Sequence, residues 1–105
     1  MRRSAAFSTA VRSGARVRRG SLVLHQYQGS EGAPIVGLIV GKSVGGSVQR
    51  HRVSRRLRAQ LALRIVALPA GSATVVRALP AASTASSAAL GADLDAALTR
   101  LAGSR

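Results

Sequence analysis

Cysteine is absent from the 105 residues, which excludes a disulfide framework and any cysteine-ligated zinc. Aromatic side chains are nearly missing as well: Phe7 and Tyr27 stand alone, without tryptophan. A core must therefore be assembled from valine, leucine and alanine, and a base-stacking surface has few rings to use. Acidic residues are also scarce, three against sixteen lysines and arginines, for a formal net charge of +13. No apolar run approaches the length of a membrane span. Arg2 and Arg3 precede only a short, interrupted apolar segment, unlike a secretory signal. These absences favour one small, soluble cytoplasmic domain over residues 1–105, held by ordinary aliphatic burial.

The charge that is present is concentrated. Lys42-Ser-Val-Gly-Gly-Ser-Val-Gln-Arg50-His51-Arg52-Val-Ser-Arg55-Arg56-Leu-Arg58 runs from a glycine turn into a basic helical pattern. Such an excess makes association with a phosphate backbone favourable and strongly salt-dependent. Guanidinium groups bridge phosphate oxygens and stack on exposed bases, which suits folded RNA; charge alone does not choose RNA over DNA. The competing reading, a merely solvated helix face, is weakened by the shortage of acids to pair with it. A membrane surface is disfavoured because no bulky apolar helix face or lipid anchor adjoins the arginines.

Periodicity orders the rest. Ser4 to Ser13 reads as a short helix with Phe7, Ala10 and Val11 on one side, and Gly14 as its terminator. Arg16, Arg18 and Arg19 read as a basic connection. Ser21 to Gln28 alternates as a strand, Gly29 to Gly32 supplies a turn, and Ile35 to Val40 is a strand apolar on both faces, hence central or covered. A long helix is expected from the glycine turn through about Arg64, with Val53, Leu57 and Leu61 facing the core. Arg50 breaks that division: either it precedes regular helix, or its stem runs over apolar surface. Pro69-Ala-Gly71 ends this region, Ala73 to Leu79 is a further strand closed by Pro80, and residues 81–88 form a Ser/Thr/Ala-rich connection containing possible helix N-caps. Leu90, Leu94, Ala97, Leu98 and Leu101 mark a terminal helix, with Asp93 and Asp95 placed near its positive end. The minimum is α-β-β-α-β-α, with room for one more strand, and helices on one side of a small sheet as the natural layering.

Metal and nucleotide chemistry find little support. His25 and His51 do not by themselves define a zinc site, and Asp93 and Asp95, two residues apart, do not share a helical face. Gly41-Lys42 and Gly45-Gly46 do not make a phosphate-binding Walker loop. No catalytic residue is assigned.

The ordered combination resembles one family, the protein subunit of bacterial ribonuclease P. Its motif is a lysine, a glycine turn, a small-residue and valine step, Arg-Asn-Arg, then a basic helix. Here it reads Lys42, Val44-Gly45-Gly46-Ser47-Val48, Arg50-His51-Arg52 and Arg55-Arg56-Leu57-Arg58. The likeness extends to Arg3-Ser4-Ala5-Ala6-Phe7, Leu22-Val-Leu-His25, Gly37-Leu-Ile-Val-Gly-Lys42, and Val75-Val76-Arg77 with Pro80, covering nearly the whole chain. The departures lie inside the motif: His51 and Gly46 stand where asparagine is usual, Ser54 where lysine is common. The basic N-terminal arm is also shorter than usual.

The resemblance implies an α+β fold: a compact two-layer α/β sandwich like the second domain of a small-subunit ribosomal protein, with a left-handed βαβ crossover, an exception to the usual rule. It implies a ribonucleoprotein enzyme that removes the 5′ leader from precursor tRNA, with catalysis by the RNA and Mg2+ bound mainly there. The expected partners are the catalytic RNA and precursor tRNA; no membrane, protein-only metal site or obligate protein partner is expected. Lys42, Arg50, His51, Arg52, Arg55, Arg56 and Arg58 become the RNA-binding set over a turn shaped by Gly45 and Gly46. Phe7, Val11, His25 and Tyr27 match the surface that receives the leader, although Val11 stands where a ring is frequent and thins the stacking platform. A ribosomal or RNA-chaperone protein, or a DNA-binding structural protein, are the rival readings.

Overall fold

A computed structural model describes residues 3–29 and 31–103. The order is α1 (Arg3–Ser13), β1 (Ala15–Arg19), β2 (Leu22–Gln28), β3 (Ile35–Ile39), α2 (Ser47–Ala62), β4 (Ser72–Ala78) and α3 (Ser87–Gly103), with 3₁₀ turns at Lys42–Val44, Ile65–Ala67 and Pro80–Thr84. The sheet runs β1-β2-β4-β3, antiparallel except for the parallel pairing of β3 with β4. The helix α2 connects those two parallel neighbours, forming the βαβ unit expected from the resemblance.

Arg16, Arg18 and Arg19 belong to β1, not to a loop. Arg19 faces Leu22 across a two-residue hairpin, Gly20-Ser21, whose glycine has φ 55°. Glycine at the first central position suits the twist of a primed hairpin turn. Asp93 of α3 fastens this hairpin, accepting hydrogen bonds from the Ser21 backbone N–H and hydroxyl, each at 3.1 Å.

The alternation of β2 divides the sheet into two unlike faces. Leu22 and Leu24, with Val17, Val76 and Ala78, enter one aliphatic core together with Val53, Leu57 and Leu61 of α2 and Leu90, Leu94, Ala97 and Leu101 of α3. Burying each valine or leucine contributes about 1.5–3 kcal/mol, so this face dominates stability. The α1 helix instead crosses the opposite face, burying Ala6 and Ala10. Its end is fixed at Gly14, where an added Cβ would lie 2.5 Å from the Gln26 carbonyl oxygen. The layer expectation therefore describes α2 and α3, while α1 lies on the far side.

Three further sequence expectations change. The β3 strand is an edge strand and only half-buried; its apolar residues serve two different faces instead of a central position. The α2 helix stops at Ala62, short of Arg64. Asp93 and Asp95 lie beyond the first turn of α3: one holds the hairpin, and Asp95 pairs with Arg64 at 2.7 Å. That hydrogen bond to Arg64 holds the Asp95 carboxyl below its usual range. The 81–88 connection consists of the end of a 3₁₀ turn and the start of α3; Ser86 Oγ accepts from the Ala89 N–H at 3.0 Å as an N-cap. Within the expected turn at 29–32, Ser30 lies outside the described residues, as does Arg2.

Candidate nucleic-acid interface

The basic element begins where β3 ends. Lys42 is exposed on a 3₁₀ turn that buries Val44, and Gly45 follows with φ 148°, a conformation that favours glycine. Gly46 is different: at φ −73° it is the N-cap of α2 in extended backbone open to any residue, and no side chain caps the helix. Ser47 then opens α2, so Arg50 is inside regular helix. It is half-buried, which fits the stem-over-apolar-surface alternative, and its Nε is buried without a partner.

The remaining arginines play unequal roles. His51 and Arg55 are exposed, and with Ser47, Val48 and Arg52 they line one open hollow of about 560 Å³. Val48, 71% exposed, gives that hollow an apolar floor among cations. Arg58 is also exposed but borders a separate hollow with Val36, Leu38 and Leu61. Arg56 is half-buried and donates to the Ala85 carbonyl at 2.8 Å; Arg52 reaches the Ser83 carbonyl at 3.4 Å. These two therefore brace the segment before α3, and Arg52, like Arg50, keeps a buried Nε without a partner.

The opposite sheet face carries a groove of about 440 Å³ between α1 and β3. Phe7 and Val11 line it with Arg12, Gly37, Ile39 and Val75. Its floor depends on Gly37, where an added Cβ would meet the Phe7 ring at 3.3–3.4 Å. A glycine within an apolar strand was the available sequence signal for this close approach. Arg12 and Ile39 were not singled out by the sequence, because helix and strand patterns alone do not show which edges face each other.

The other two leader candidates are elsewhere. Tyr27 borders a smaller pocket of about 280 Å³ near the start of α1, with Arg3, Glu31 and Ile35. His25 is 6% exposed, on β2, with Nδ1 buried and unpartnered. Burial pushes its pKa below 6.5, and the charges of Arg77 and Arg16 push the same way, so the ring is neutral near pH 7. His25 thus supports the surface from below; its ring is not open for stacking in this conformation. Among the described residues, no three histidine or acidic side chains group closely enough to hold a metal ion.

Comparison with known proteins agrees with this geometry. A family model described as Ribonuclease P matches residues 1–102. The ribonuclease P protein component of Streptomyces bikiniensis is 49% identical over 112 residues, spanning 98% of this chain and 91% of that protein. Its counterpart in Mycobacterium tuberculosis is 47% identical over 107 residues, spanning 99% and 92%. Among solved structures, the RNase P protein of Thermotoga maritima superposes with a TM-score of 0.80 at 17% identity, covering 95% of this chain and 94% of that one. The Staphylococcus aureus protein gives 0.78 at 18% identity, covering 95% and 92%. At such identities these structures speak for the fold, whereas the family match and the close relatives span nearly all of the sequence: the chain belongs to the ribonuclease P protein family.

Proposed function

We propose that this chain, as the protein subunit of ribonuclease P, holds the catalytic RNA on its turn and α2 face and the 5′ leader of precursor tRNA in the α1–β3 groove. The observation that carries this reading is the position of β3. Ile39 lines the groove, and three residues later Lys42 opens the basic element. One short strand thus links a base-sized apolar groove to a cationic helix, an arrangement suited to holding a substrate strand beside a larger RNA.

The residues have distinct physical tasks. Lys42, His51, Arg55 and Arg58 present exposed donors to RNA phosphates and bases. Arg52 and Arg56 add charge and hold the neighbouring segment in place. Arg50 has an unused buried Nε and contributes at the edge of this surface. Phe7 offers a ring for stacking and Val11 an apolar wall, while Tyr27 borders the separate pocket near the α1 start.

Magnesium does not fit a site on the protein alone. Asp93 is committed to Ser21 and Asp95 to Arg64, and the remaining acid, Glu31, stands in the turn before β3. We therefore assign the Mg2+ of the holoenzyme chiefly to RNA phosphates, and the chemical step to the RNA. The protein lowers phosphate repulsion and reduces the divalent-ion requirement. No helix among the described residues is long and apolar enough to cross a membrane; we place the particle with its RNA in the cytoplasm.

The test is reconstitution with a ribonuclease P RNA at limiting Mg2+. Mature 5′ ends should form faster with the chain than without it. Cleavage by the protein alone, or no stimulation of a cognate RNA by folded protein, would overturn the reading. General RNA annealing without precursor processing would instead identify a chaperone.

A further inference from the structure

The sheet face crossed by α1 carries a second concentration of charge, separate from α2. Strand register places Arg18 opposite Val23, Val23 opposite Arg77, and Arg77 beside Ile39; Arg16 lies opposite His25. Side chains at paired positions share a face, so Arg16 and Arg18 of β1 and Arg77 of β4 emerge together on either side of β2. All three are exposed. With strands about 4.8 Å apart and alternate residues about 6.6 Å apart, their Cα atoms lie within roughly 12 Å of one another.

Among the described residues, no carboxylate compensates this cluster. Asp93 and Asp95 are engaged from α3, which packs on the other face, and Glu31 stands beyond the opposite end of β2, near Tyr27. Like charges close together on one sheet face oppose folding. The depressed pKa of buried His25, caused first by burial and then by Arg77 and Arg16, reflects the same positive field. The cluster is also continuous with the groove: Val75 and Ile39 line it, Arg77 pairs with Ile39, and Val75 precedes Arg77 by one alternation on the same face. An external polyanion arriving through the groove would meet Arg77 first and then Arg18 and Arg16 at the open β1 edge.

We propose that Arg16, Arg18 and Arg77 form a phosphate track that binds single-stranded RNA running from the mouth of the α1–β3 groove to the β1 edge. The leader is then held in two sections, its bases beside Phe7 and its backbone on the arginines. This rests on the leader-binding reading above and extends it to residues outside both the groove and the basic helix.

The experiment uses the reconstituted holoenzyme and a series of precursor tRNAs with leaders of increasing length. Wild type is compared with R16Q/R18Q/R77Q and with the charge-keeping R16K/R18K/R77K. Circular dichroism checks folding, and the three single glutamine variants carry the same test at a smaller effect each. The glutamine triple should lose the part of the affinity that grows with leader length. Its slope of log affinity against log salt should fall by about 2, three single-strand phosphate contacts at roughly 0.7 each. The lysine triple should retain most of that slope, and the leader length at which variant and wild type diverge maps the track. Unchanged slope and unchanged length dependence in the folded glutamine variants would overturn the proposal. Equal loss for leaderless tRNA would also overturn it, giving the arginines to another RNA. Failure of the subunit reading is a different result, seen when wild type itself does not stimulate processing.

Discussion

The two faces of one sheet are built on opposite terms. On the α2–α3 face, leucine and valine interlock, the acids find partners, and α2 turns its arginines away from the core. On the α1 face, a single short helix covers part of the sheet, leaving a groove, exposed arginines and a buried histidine with an unused nitrogen. The difference separates stability from recognition. Substitutions on the first face should act on folding and leave affinity per folded molecule intact; substitutions on the second should act mainly on RNA.

The largest expected effect tests the first half of that comparison. Leu94 is fully buried between α3 and the sheet. Leu94→Ala should destabilise the protein by about 2–5 kcal/mol through lost burial and a residual cavity. Chemical denaturation measures the loss, and leader affinity corrected for the folded fraction should stay near wild type. A selective loss of leader binding in the folded fraction would break the division between faces.

Phe7→Ala tests the other half. A ring stacked on a base contributes about 1–3 kcal/mol, so the affinity advantage of leader-bearing over leaderless precursor should fall by that amount. Phe7 is only half-buried, and its removal should destabilise the fold less than Leu94→Ala does. A large stability loss with an unchanged leader advantage would make Phe7 a core anchor.

Legibility in the sequence follows the same division. The core face was readable because Val53, Leu57 and Leu61 repeat at helical spacing and Leu22 and Leu24 alternate, and all five are buried together. The basic turn and helix were readable because charge and glycine cluster locally. The β1 strand was not: Ala15-Arg16-Val17-Arg18-Arg19 has one buried residue, Val17, so alternation had almost nothing to show. The Gly20-Ser21 hairpin was the overlooked signal. The edge position of β3 was also hidden, since an apolar strand facing a core on one side and a groove on the other resembles a central one. Asp93 and Asp95 look like helix-end charges until the tertiary fold brings Ser21 and Arg64 to them. For His25, the strand and its face could be read, but the burial produced by α1 packing could not.

His25 sharpens the comparison through pH. Its native pKa is depressed by burial and by Arg77 and Arg16, while the unfolded chain titrates near the ordinary 6.5. As pH falls below that value, the unfolded state takes up a proton that the native state resists, so stability should decline until the lower native pKa is passed. Denaturation midpoints of wild type and His25→Gln, measured between about pH 7 and pH 5, isolate this contribution, with 6.5 as the reference. The variant should show a shallower decline. Parallel curves would mean that His25 is not held neutral by its surroundings.

The smallest effect concerns the turn where the basic helix begins. Gly46 caps α2 without a side-chain acceptor, although its φ of −73° admits any residue. An added Cβ would approach only the Gln49 side-chain oxygen, at 3.1 Å, and that flexible group can move aside. Gly46→Asn should therefore stabilise the protein by a few tenths of a kcal/mol, by placing an acceptor near the free N–H groups of the first turn. Gly45→Asn, one residue earlier at φ 148° and with Gln49 Cβ 2.9 Å from the added Cβ, should destabilise it. Thermal midpoints that move in opposite directions for these neighbours would show that the motif requires glycine at 45 alone. Any gain in RNA affinity of Gly46→Asn beyond the gain in stability would point to a side-chain contact that glycine does not make.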